Sequence, residues 1–188
     1  AERLFFVGGY PITNALLLTT VVIVALGLAS VALSRHITMM PSGVQNVVEM
    51  GVDSFLGVME SVLGTREKAK KYFPFITTIF IFVLFSNWAG LIPGVGSVGF
   101  FSDIGAHREF VPLLRSPASD LNFTLALAVI TVVATHVYAI RALGSGAHIG
   151  KFFNVSSPIN FFIGILEFIS EIAKILSFSF RLFGNVFA

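Results

Sequence analysis

The chain has 188 residues, 55% hydrophobic and 12% charged, with a net charge of +2 and a mean hydropathy of +0.90. That is enough chain for one domain, but it carries too little polar surface to cover a water-soluble one. The small, scattered charge argues against nucleic acid as a partner, and without a cysteine there is neither a disulfide framework nor a thiolate metal site.

The first element is Ile12 to Ser34, 23 residues without a charge, long enough as a helix to cross about 30 Å of hydrocarbon. A signal peptide is the alternative, but its apolar core is shorter, and only Arg3 precedes this one. Pro41 to Leu63 differs: apolar residues such as Val48, Val52, Leu56, Met59 and Leu63 recur at spacings of three and four, with Glu49, Asp53 and Glu60 between them. That pattern predicts an amphipathic helix lying either on the membrane surface or on a partner subunit.

Arg66, Glu67, Lys68, Lys70 and Lys71 then mark a water-exposed loop before a second span, Phe73 to Ile92, which Pro93 and Gly94 end. A polar loop with Asp103, His107, Arg108, Glu109 and Arg115 leads to a third span, Leu121 to Leu143. Pro158 opens a last helical stretch that stops at Ala188 inside an apolar run, and with Ala1 in place of an initiator methionine both ends read as fragment ends. The expected fold is therefore all-α: a single polytopic membrane domain over 1–188, with one surface helix and one long, polar-striped helix. Counting basic residues by loop, seven in or beside the loops after the first and third spans against three (Arg3, Arg108 and Arg115) on the other side, puts the N-terminus outside and those two loops in the cytoplasm.

The last stretch carries the chemistry. Its 31 residues would reach about 46 Å as a helix, so it must tilt steeply or continue into water. At about 100° per residue, Glu167, Glu171, Lys174, Arg181 and Asn185 fall within an arc of about 80°. Such a stripe cannot face lipid, because an ionised group near the bilayer centre costs at least about 2.5 kcal/mol. Glu171 and Glu167 are spaced to pair with Lys174 as ordinary salt bridges. Arg181 is different: its nearest acid in the helix is Glu171, ten residues back, and a guanidinium cannot shed its proton. A carboxylate from another protein is implied.

The string Ser177-Phe178-Ser179-Phe180-Arg181-Leu182-Phe183-Gly184-Asn185 resembles the signature of the ATP synthase subunit a family. Ile165-Leu166-Glu167, 14 residues before the arginine with Lys174 between, is similar to the family, as are Ser119-Asp120-Leu121-Asn122-Phe123-Thr124 and Asn87-Trp88-Ala89-Gly90-Leu91-Ile92-Pro93-Gly94. The resemblance implies an ion-conducting stator beside a rotating ring of small hairpin subunits, each with a mid-membrane acid, plus a peripheral-stalk subunit, in what we expect to be a bacterial inner membrane. It implies two half-channels for protons or sodium ions with Arg181 between them. Glu167, Ser170 and Ser177 would line the cytoplasmic one; Asn185 and Asn87 would belong near the outer one. Many relatives have an aspartate where this chain has Gly90. Asp120 and Asn122 either feed the outer path or cap the third helix, and His136 either relays protons or bonds a neighbouring helix.

No cofactor is expected. No Ser-His-Asp set, P-loop or histidine metal spacing is present, so ATP chemistry would take place on other subunits. A secondary transporter would be expected to show an internal repeat or broken helices, which are not evident, and a purely structural scaffold leaves Arg181 unexplained.

Overall fold

In the computed structural model, residues 2–35, 37, 43–104, 107–144, 146, 150 and 158–187 are described. The chain divides into two compact units, residues 2–116 and 117–188. His36, His148, Lys151 and the Pro41 start of the amphipathic helix lie outside the described residues.

The first unit opens with an antiparallel ribbon, β1 (Arg3–Val7) and β2 (Tyr10–Thr13). Its two-residue turn is Gly8-Gly9, with φ of 58° and 87°, a pair of positive angles that glycine adopts without strain. Helix α1 (Asn14–Arg35) follows, starting two residues later than Ile12 because Ile12 and Thr13 belong to β2. Helix α2 (Val44–Leu63) ends at Gly64, whose φ of 80° turns its N–H back to the Glu60 carbonyl at 2.8 Å.

Helix α3 (Arg66–Leu91) corrects one expectation, because the basic cluster expected to be a loop forms its first two turns. The cluster is exposed as expected, but Ala69, Tyr72 and Phe73 recur at helical spacing and pack with Leu56 and Met59 of α2. Glu67 sits in the first turn, where the helix end favours a negative charge. Arg66 reaches back to Asp53 at 2.8 Å and Glu60 at 3.5 Å. So α2 has a partner within its own chain on one face, while Val44, Val47, Val58 and Val62 remain exposed. A second ribbon, β3 (Gly99–Ile104) with β4 (His107–Pro112), closes the unit. Neither ribbon was expected in the polar loops, although helices dominate the chain.

The second unit holds a short 3-10 turn at Pro117–Ser119, helix α4 (Leu121–Leu143) and helix α5 (Pro158–Phe187). The expected third span and α4 coincide. Among the described residues three helices, α1, α3 and α4, are long and apolar enough to cross a membrane. The chain is thus a mostly helical, polytopic membrane protein.

Candidate functional site

Two contacts fix how α4 and α5 meet. The hydroxyls of Thr124 and Ser179, both buried, lie 3.0 Å apart, and His136 Nε2 lies 3.6 Å from Glu171 Oε2. Moving forward along α4 from 124 to 136 means moving backward along α5 from 179 to 171, so the helices are antiparallel neighbours. The buried residues Thr124, Ala128 and Val132 form the i, i+4 ridge that α4 contributes.

This contact sets the rotation of α5. Ser179 faces α4, and Arg181, two residues on, is rotated by about 160° from it. The guanidinium therefore leaves the side of α5 opposite its buried serine. Arg181 is exposed, and among the described residues it makes no ion pair; its one ring neighbour is Phe178, with Cζ 5.9 Å from the ring centroid. Asn185, one turn on, is also exposed.

Toward the α5 N-terminus the stripe is paired. Glu171 Oε1 accepts from Lys174 Nζ at 2.8 Å while its other oxygen faces His136. The ion pair expected between Glu171 and Lys174 is present, and His136 lies against Glu171 of the neighbouring helix. Glu167 is half-buried, whereas Ser170 and Ser177 are exposed, about 60° and 80° around the helix from it. Sequence reasoning quoted Thr124 and Ser179 but missed their roles: a hydroxyl in an apolar run is equally compatible with bonding its own helix.

Asp120 acts as the cap of α4, its Oδ1 accepting the N–H of Asn122 at 2.9 Å. The Asn122 side chain is exposed. Asn87 lies in the other unit, on the last turns of α3. Its Oδ1, like the Oγ of the adjacent, buried Ser86, is shielded and takes no hydrogen bond among the described residues. Gly90 has a packing reason: a Cβ there would lie 2.5 Å from Ser116 Cβ.

A family model described as ATP synthase A chain matches residues 15–188. A protein named ATP synthase subunit a from Moorella thermoacetica is 30% identical over 185 residues, covering 98% of this chain and 73% of that protein. One of the same name from Helicobacter pylori is 35% identical over 159 residues, covering 85% and 62%. Another, from Campylobacter curvus, is 33% identical over 166 residues, covering 88% and 65%. The chain thus spans between 62% and 73% of the length of these relatives.

Proposed function

This chain belongs to the ATP synthase A chain family, and from that premise we propose that it conducts ions through the membrane sector of a rotary ATP synthase. Its partners are a ring of small hairpin subunits bearing a membrane carboxylate, a peripheral-stalk subunit and the bilayer. The ion is a proton or sodium, and the membrane is a bacterial inner membrane with the N-terminus outside.

One observation carries the reading. Arg181 is a permanent cation on a largely apolar helix, turned about 160° from the serine that seats that helix on α4, with no acid of the described residues paired to it. Its counter-charge then comes from another protein. A ring carboxylate that has travelled through lipid must be neutral, since an ionised one is costly there. Beside a fixed guanidinium the ionised form is favoured. Arg181 therefore drives ion release from the ring and, by its charge, blocks a direct leak between the two half-channels. Glu167, Ser170 and Ser177 line the path toward the α5 N-terminus. Asn185 and Asn87 serve the other path, and the shielded, unpaired Asn87 oxygen is the kind of group that holds water in such a path.

Arg181→Ala tests this. In membrane vesicles carrying the assembled complex, the variant loses ATP synthesis driven by an imposed ion gradient while still permitting passive ion flow through the membrane sector. Synthesis at the unmodified rate would refute the role.

A further inference from the structure

The ribbon β3–β4 is apolar at its base and charged toward its tip. Its register sets Phe101 opposite Phe110 and Phe100 opposite Val111 near the base, then Ser102 opposite Glu109 and Asp103 opposite Arg108 further out. Phe101 and Phe110 meet edge-on, with ring centroids 5.5 Å apart, and Phe101 is 71% exposed. An exposed phenylalanine pair is costly in water and has no polar atom to offer it.

The height of that base is fixed by two spans. Asn14, the first residue of α1, is fully buried, and its side-chain amide donates to the carbonyl of Pro112 at 3.3 Å. Leu113 N–H donates to the Val98 carbonyl at 2.9 Å, joining the two chain segments that enter and leave the ribbon. Beyond it, Ser116 packs against Gly90 in the last turn of α3 so closely that no Cβ fits between them. On the other side, residues 92–97 fold into tight turns, with Val95 N–H bonded to the Ile92 carbonyl and Ser97 N–H to the Gly94 carbonyl, each at 3.1 Å. The base is therefore held where α1 begins and α3 ends. Trp88 is 56% exposed and lies three residues before the end of α3, at the end of an apolar helix where tryptophan is enriched in membrane proteins. Phe110 lies two residues from Pro112, about 7 Å along the strand, so the phenylalanine pair sits close to the same level.

We propose that the β3–β4 ribbon is a membrane-interface anchor, with Phe101 and Phe110 inserted among lipid headgroups and upper acyl chains and its charged tip in water. It is an interaction surface for the lipid bilayer, and it includes none of the residues assigned to the ion path. Lipid is the fitting occupant because the base is tied to the start of α1 and the end of α3, both long and apolar enough to cross a membrane, and because the ribbon passes from apolar to charged residues within about 10 Å. The anchor fixes the depth of the α3 end, and with it that of Asn87.

The chain has no cysteine of its own, so a nitroxide can be placed singly on Phe101→Cys, Phe110→Cys or His107→Cys. The labels would be read in the assembled complex, made otherwise free of cysteine and reconstituted in phosphatidylcholine vesicles. Power saturation compares collisions with oxygen, which concentrates in hydrocarbon, and with a nickel chelate confined to water. The expected result is a high oxygen-to-nickel ratio at 101 and 110 that falls at 107. Nickel access at 101 equal to that at 107 would put the base in water and overturn the proposal. Low access to both reagents at 101 and 110 would mean that a protein covers the patch, which overturns it equally. Using two base positions guards against a single cysteine that disturbs the fold.

Discussion

The Thr124–Ser179 hydrogen bond is small, buried and decisive for the direction of Arg181, and its energy can be worked from its surroundings. Thr124 Oγ1 has a second partner, the Leu121 carbonyl at 3.1 Å, whereas among the described residues the Ser179 hydroxyl is bonded to Thr124. Thr124→Val keeps the shape of the side chain but strands the Ser179 hydroxyl, which must turn to its own helix or go unpaired, at a cost of about 1–2 kcal/mol. Ser179→Ala leaves Thr124 its local bond and costs less, about 0.5–1 kcal/mol. Interhelical hydrogen bonds in membranes show coupling of about 0.6 kcal/mol on average and at most about 1.7. We therefore expect the double variant to cost less than the two single costs added, by roughly 0.5–1.5 kcal/mol. The assay is reversible unfolding of the four proteins in lipid bicelles. Strict additivity, or a larger cost for Ser179→Ala than for Thr124→Val, would refute the assignment of this bond as the lock on α5 rotation.

Arg181→Lys should fail to restore coupled ATP synthesis, because an ammonium can lose its proton and lacks the planar fork of the guanidinium; full synthesis in that variant would show that any cation suffices. Asp120→Ala should destabilise α4 by about 1 kcal/mol through loss of its N-terminal cap, seen as a lower unfolding midpoint, whereas an unchanged midpoint would mean that the 2.9 Å bond to Asn122 contributes nothing. Gly90→Ala should cost about 1–3 kcal/mol despite the better helix propensity of alanine, because the new Cβ meets Ser116 Cβ and Cα rather than a yielding side-chain tip. A variant as stable as the parent would place Ser116 elsewhere.

Periodicity and composition by themselves determined the membrane class, the bounds of the helix Leu121–Leu143, the long striped helix and the isolation of Arg181 from acids of its own helix. The physical reason is that the bilayer allows a charge so few environments that a single arginine in an apolar run already implies a partner. The onset of α3 was not legible. A basic cluster reads as loop or as helix with equal ease, and it was packing of Ala69 and Tyr72 against α2 that decided. The ribbons were hidden because Phe100 and Phe101 sit among glycines and charges in a segment with no sustained alternation, and their pairing partners lie several residues on. The bond by which Asp120 caps α4 is too local in geometry to be fixed by spacing. Which way Arg181 points was beyond the sequence altogether: a helix can be turned to any angle until a neighbour seizes one face, and here that neighbour is α4, through a pair of buried hydroxyls.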